Sequence, residues 1–408
     1  MASLAINGGA PLRTASWPGW PLFDEREEQA VLDVVRSGAW GRNAGKKGDE
    51  FEAKFAACHD AKYAIACVNG TAALEVALRG AGVEGGDEVI VPPYTFIATV
   101  TSVLLINGVP VFADIEPGTC NLDPVAVESK ITDKTKAILA VHIGGRPADM
   151  ERLGAIARKH NLRLIEDACQ AHGAIWNGTK VGAIGDVGCF SFQASKNINA
   201  GEGGALLTND AALEERCWSL VNCGRTKTGQ WYEHHLPGWN YRLSEFQCAI
   251  LLAQMERLEE LAQKRQENGD YLAARLRELE GISPQDADAR VTRSAYHLFI
   301  FRYHAEAFGG APKERFVKAL SAEGIPTSPG YKPVYQEPVF RSAPVFFPGV
   351  TSSTMVDYDR VDCPVCERLC AEEAMWFKQS MLLGTREDMD NIVAAIEKIQ
   401  ANSGELLA

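Results

Sequence analysis

Arg163-Leu164-Ile165-Glu166-Asp167-Ala168-Cys169-Gln170-Ala171-His172-Gly173 runs from an apolar, β-prone stretch straight into acidic and polar residues. In open α/β sheets ligands sit outside the carboxyl ends of the strands, so residues in this position are read first. A carboxylate there can face a buried cationic ring nitrogen, although an Asp at a strand end serves turn chemistry equally well. Outward from this stretch, short apolar runs recur between about residues 60 and 210. They lie at Tyr63 to Val68, Glu88 to Val91, Val109 to Ile115, Ala137 to His142, Cys189 to Phe192 and Ala205 to Thr208. Helical patterns fill the gaps at Thr71 to Arg79, after Thr95, at Asp149 to Arg158 and at Ala211 to Leu220. This is the rhythm of βαβ units, and the strands are expected to be parallel.

Two further stretches carry chemistry at strand ends. Asn69-Gly70-Thr71 follows one strand and precedes a helix, where free N–H groups and the helix dipole favour an anion such as phosphate. The same triplet is also an ordinary helix cap. Cys189-Phe190-Ser191-Phe192-Gln193-Ala194-Ser195-Lys196-Asn197, followed by Gly201-Glu202-Gly203-Gly204, delivers a hydroxyl and then a lysine into a glycine-rich turn. A desolvated lysine loses its proton readily and can form a Schiff base, whereas most lysines are solvated surface residues. His142 and His172 lie near the same strand ends and read as structural histidines.

The rest of the chain bounds the answer. At 408 residues it exceeds what one core usually organises, and its 46% hydrophobic and 23% charged residues suit a folded protein. We expect an N-terminal arm over 1–24, a large domain over 25–262 and a small domain over 263–408. A charge-rich helical pattern from Ser244 to about Leu276 would join the two. Beyond it come an aromatic strand from Ser294 to Tyr303, a helix near Lys313 to Glu323, a Pro/Tyr-rich stretch from Pro326 to Pro348 and a closing helix from Arg386 to Ala401. The 41 basic and 53 acidic residues argue against nucleic acid or an anionic membrane as main partner. Eleven scattered cysteines point to reduced thiols in the cytoplasm, and no apolar run approaches a membrane span. Cys363, Cys366 and Cys370 lack a nearby fourth ligand, so no metal is expected. The Gly41 to Lys47 segment has the wrong spacing for a phosphate loop.

Taken together, the helix-start anion site, the strand-end carboxylate and the later lysine resemble pyridoxal-phosphate enzymes of the aspartate aminotransferase fold. The blocks Asn-Gly-Thr-Ala-Ala-Leu, Pro-Pro-Tyr-Thr-Phe, Glu-Asp-Ala-Cys-Gln-Ala-His-Gly, Ser-Lys-Asn, Gly-Glu-Gly-Gly-Ala and Trp-Asn-Tyr-Arg-Leu-Ser-Glu resemble the DegT/StrS family of sugar aminotransferases. The resemblance implies a fold type I transferase: a large, mostly parallel-sheet α/β/α domain and a smaller C-terminal α+β domain. It also implies pyridoxal 5'-phosphate as cofactor and an amino donor such as glutamate or glutamine. The acceptor would be a keto-sugar or ketocyclitol, and the enzyme a homodimer with shared active sites. Lys196 would hold the cofactor as a Schiff base and shuttle protons, and Asp167 would pair with the protonated ring nitrogen. Gln170 would lie near the ring oxygen, Phe96 would stack on the ring, and Gly70, Thr71 and Ser191 would hold the phosphate. Asn240 would reach a phosphate in the neighbouring subunit. Tyr331 and Tyr335 are candidates for the acceptor site. Two other readings stand beside this one: a sugar dehydratase-type enzyme, disfavoured because Lys196 is present, and a non-catalytic cofactor-binding regulator.

Overall fold

The computed structural model describes residues 3–340 and 357–407; residues 341–348 of the Pro/Tyr-rich stretch, and the first two residues of the arm, lie outside the described residues. The strands are β1 (Tyr63–Cys67), β2 (Glu88–Val91), β3 (Val109–Phe112), β4 (Thr135–Val141), β5 (Arg163–Asp167), β6 (Ile175–Trp176), β7 (Thr179–Lys180), β8 (Val187–Ser191), β9 (Gly204–Thr208), β10 (Ile282–Pro284), β11 (Val291–Arg293), β12 (Leu298–Tyr303) and β13 (Ala374–Lys378). Seven form the main sheet in the order β1-β9-β8-β5-β4-β2-β3.

The pairs from β8 through β3 are parallel, but β9 runs antiparallel to both β8 and β1. The sheet is therefore mostly parallel, as expected of the domain, and β9 is the strand that departs from the parallel direction read for the individual runs. A parallel return needs a crossover, usually a helix, and the chain between Ser191 and Gly204 instead forms a tight loop. That loop is closed by Phe192 N–H to Gly203 O at 2.7 Å and Ala194 N–H to Gly201 O at 2.9 Å. It carries Lys196.

Alternation along the strands decides what reaches the site. On β5, Leu164 packs into one core layer and Ile165 into the other; on β8, Phe190 and Cys189 divide in the same way. Period-two geometry therefore turns Asp167 to the Ile165 face and Glu166 to the opposite face. The opposite layer is aromatic, with Phe51, Phe55, Phe190 and Phe192 in edge and stacked contacts at 5.1–5.5 Å. Glu166 is buried there and is held by N–H groups of Gly182, Ile184 and Gly185 at 2.6–2.8 Å and by His142 Nε2 at 3.0 Å. Because His142 Nδ1 accepts from Ala148 N–H at 3.0 Å, Nε2 bears the proton. His142 is thus structural.

The expected single helix from Ser244 is two, Glu245–Met255 and Leu258–Arg277. At the break, Arg257 leaves helical geometry and reaches Leu22 O at 2.8 Å and Glu27 at 3.0 Å, tying the arm and the helix Glu25–Ser37 to the body. The second helix runs through residues 262 and 263 uninterrupted and packs on a third core. That core covers an antiparallel sheet in the order β10-β12-β13. No helix among the described residues is long and apolar enough to cross a membrane.

Candidate active site

A cavity of about 960 Å³ opens at the carboxyl ends of β5 and β8. Its walls include Gly70, Thr71, Phe96, Asp167, Gln170, Ser191, Lys196 and Tyr331, so the tertiary structure brings eight of the ten expected residues together.

Asp167 is 5% exposed. Its Oδ2 accepts from Thr99 Oγ1 at 2.7 Å and its Oδ1 from Cys169 N–H at 3.1 Å, while Thr99 also bonds Thr95 Oγ1 at 2.8 Å. Two donors hold the carboxylate in a fixed orientation at the cavity wall.

The helix Gly70–Gly80 starts where the anion site was expected. Asn69 caps it, its side chain accepting from Ala72 N–H at 2.8 Å. A cap of this kind contributes ~1 kcal/mol and leaves the Gly70 and Thr71 N–H groups for another acceptor. A Cβ at residue 70 would stand 2.7 Å from Ser191 Cβ and 3.0 Å from Cys169 Sγ. Glycine is required because this helix start is pressed against the end of β8, and that close approach places the free N–H groups beside the Ser191 hydroxyl.

Lys196 is half-buried, and its Nζ has no hydrogen bond or ion pair among the described residues. Burial pushes its pKa below the ordinary lysine value, with the Cys169 thiol and the Asp167 charge pulling the other way. A neutral amine is thus accessible at lower pH than on the surface. The loop is pinned from below: Asn197 Nδ2 donates to Ala295 O at 2.7 Å, and Asn197 Oδ1 meets His297 Nδ1 at 3.2 Å. His172 is buried against Phe190 and Phe192, and desolvation, aided by the Lys196 charge, holds its pKa well down. It is a neutral packing residue.

Gln170 presents its amide between Gly144 N–H, which donates to Oε1 at 2.8 Å, and Tyr331 OH, which accepts from Nε2 at 3.2 Å. Tyr331 packs on Trp376 and Tyr94 with centroids 4.5 and 5.4 Å away. Phe96 is 56% exposed although aromatic, which leaves its face free for a flat partner.

Two expected residues lie elsewhere. Tyr335 is buried away from the cavity, its hydroxyl donating to Glu367 and its ring against Phe112, because the Pro-rich turn before it directs it into the core. Asn240 is exposed and bridged to Asn222, outside the walls of its own cavity. Sequence reasoning also passed over Thr99, Trp20 and His297, which line the cavity. Thr95 lies in the bend before the helix Ala98–Leu105 and Thr99 in its first turn, and two hydroxyls four residues apart at a helix start could have been a signal; Trp20 and His297 offer none.

Free helix-start N–H groups, a flanking hydroxyl, an oriented carboxylate, an exposed aromatic and an unpartnered lysine fit a phosphorylated pyridine aldehyde. The sequence profile of the DegT/DnrJ/EryC1/StrS aminotransferase family matches residues 21–397. An L-glutamine:2-deoxy-scyllo-inosose aminotransferase of Streptoalloteichus tenebrarius is 39% identical over 427 aligned positions, covering 99% of each chain. One of the same name from Micromonospora echinospora is 39% identical over 100% of each chain. Among solved structures, 3-amino-5-hydroxybenzoic acid synthase superposes with a TM-score of 0.85 at 32% identity, over 96% of this chain and 100% of that one.

Proposed function

Given that the chain belongs to the DegT/DnrJ/EryC1/StrS aminotransferase family, whose members are pyridoxal-phosphate-dependent aminotransferases, we propose that it transfers the amino group of L-glutamine or L-glutamate to a ketocyclitol. The acceptor class follows the names of the relatives, and the reading rests on one observation. The unpartnered Lys196 amine shares its cavity with Asp167 and the free N–H groups of Gly70 and Thr71.

Bound pyridoxal phosphate supplies a carbonyl carbon that takes up nitrogen and an electron-poor ring that stabilises a carbanion. The residues of this chain do the rest. Lys196 Nζ, whose pKa burial lowers, would take the proton from the donor α-carbon and deliver it within the same cavity. Asp167, oriented by Thr99, would hold a proton on the ring nitrogen. Gln170 would orient the ring oxygen, Phe96 would offer its exposed face to the ring, and Gly70, Thr71 and Ser191 would hold the phosphate. Tyr331 and Trp376, packed on each other in the cavity wall, would face the acceptor. The dehydratase reading is disfavoured because Lys196 supplies an amine able to hold the cofactor as a Schiff base, where that reading needs the cofactor left free.

We also read the protein as cytoplasmic and as a homodimer. Asn240, away from its own cavity, supports a shared site in which it reaches the phosphate across the interface. The chemistry is tested by adding L-glutamine alone to the loaded enzyme and following the visible absorption of the lysine-bound cofactor. The band should vanish and return when 2-deoxy-scyllo-inosose is added. Persistence of the band with glutamine, glutamate and other amino acids would overturn the reading.

A further inference from the structure

Arg265, on the helix Leu258–Arg277, is fully buried. Its Nε–H donates to Gln379 Oε1 at 2.8 Å, while Nη1 and Nη2 have no hydrogen-bond partner. No carboxylate pairs with it among the described residues, and burial with nothing to offset it pushes its pKa down to about 9. A buried guanidinium with bare donors is among the costliest arrangements a fold can hold, and it persists where something else supplies the partner.

The groups that cover Arg265 are walls of the catalytic cavity. The Trp20 indole lies over the guanidinium, its ring centroid 5.0 Å from Cζ, and both Trp20 and Gln379 line the cavity. Trp20 belongs to the N-terminal arm and is fastened to the lysine loop by one bond, from Nε1–H to Ala194 O at 3.0 Å. The neighbouring His297, another wall residue, is held neutral by burial and by the charges of Lys196 and Arg265. The site thus has a hidden cation behind a neutral aromatic cover.

The two substrates of a ketocyclitol aminotransferase differ in this respect. The amino donor carries an α-carboxylate, whereas the acceptor carries hydroxyls and a keto group and no charge. Lys378, also on the cavity wall, is exposed and hydrated, and a solvated ammonium binds a carboxylate weakly. The two free Nη donors of a guanidinium match a carboxylate bidentately.

We propose that Arg265 is the receptor for the donor α-carboxylate and that Trp20 is its cover, an assignment that rests on the aminotransferase reading above. The carboxylate displaces the indole and takes the Nη donors. With the donor product gone, the indole returns over the cation and offers the uncharged acceptor an apolar wall.

The test measures the two half-reactions of the loaded enzyme separately, together with calorimetric binding of glutarate. R265Q should raise the KM for L-glutamine and the Kd for glutarate about 10–100-fold, the worth of a charge-assisted pair. It should leave turnover of L-glutamine amide and the acceptor half-reaction within about twofold of wild type, since neither involves a carboxylate. R265K, which keeps the charge and loses the fork, should fall between. Equal slowing of both half-reactions, or an unchanged glutarate Kd, would overturn the proposal. Should R265Q fail to fold, R265K decides by the same glutarate criterion. Wild-type enzyme that exchanges glutamine but never aminates a ketocyclitol would sink the acceptor reading, while a donor defect in R265Q would still support Arg265.

Discussion

At the scale of single residues, the site depends on hydrogen bonds that fix charge where the chemistry needs it. Asp167 receives one side-chain donor, Thr99 Oγ1, and one backbone donor, Cys169 N–H. Replacing Thr99 by the near-isosteric valine leaves Oδ2 of a buried carboxylate without that donor, a loss of about 1.5–3 kcal/mol for a bond to a charged group. T99V should therefore lower kcat roughly 10–100-fold, and T99S, which keeps the hydroxyl, should restore most of it. Steady-state kinetics on the three proteins checks this, and a T99V enzyme as fast as wild type would remove Thr99 from the positioning of Asp167. Lys196, Asp167, Gly70, Thr71 and Ser191 were legible from sequence because they follow strand ends or open a helix, whereas Phe96 and Gln170 came from the family resemblance and Tyr331 from its Pro/Tyr-rich stretch. Thr99 contributes through its place on a helix face, and Tyr335 was misread because its Pro-rich surroundings do not reveal which way its ring turns.

At the scale of elements, the adjacent Glu166 and Asp167 take separate roles because β5 turns them to opposite faces. Glu166 gathers three backbone N–H groups and His142, and these donors outweigh burial, so its pKa lies below the ordinary value of 4.5. A depressed carboxylate pKa contributes stability that is complete above the unfolded-state value and is lost as pH falls through the folded-state value. E166Q should cost about 1–3 kcal/mol at pH 7, because its amide group replaces an acceptor oxygen with a donor facing N–H groups. It should also flatten the decline of stability below pH 4.5. Urea unfolding of wild type and E166Q at pH 7 and pH 4 tests both points; parallel losses on acidification would show that Glu166 contributes nothing to the acid limb. The antiparallel return of β9 belongs to this scale too. Local runs identify a strand but not its direction, which depends on whether the connecting chain has room to cross over.

At the scale of the whole molecule, the helix Leu258–Arg277 spans the point at which we divide the chain, so the division into a large and a small domain is proposed as a joint carried by one continuous helix. The arm crosses that joint: Trp17 Nε1–H donates to Gly324 O at 2.9 Å, Leu22 O accepts from Gln254 and Arg257, and Trp20 between them lines the cavity. The shared-site reading makes a prediction here. N240A and K196A should each be inactive alone, and a mixture refolded together should regain activity, because a mixed dimer holds one intact site. Assay of the mixture against the two parents checks it, and no recovery from folded mixed dimers would confine Asn240 to its own subunit. Sequence alone determined the α/β rhythm and the constellation of Gly70, Thr71, Asp167, Ser191 and Lys196, because strand ends and helix starts present adjacent residues to one place, and the family resemblance in its motifs added Phe96 and Gln170. Only the tertiary structure decided the direction of β9, the break at Arg257, the exclusion of Tyr335 and the meeting of Trp20 with Arg265. The first depends on whether the chain between two strands has room to cross over, and the other three on contacts between segments far apart in the sequence, where packing and buried charge rather than local pattern set the outcome.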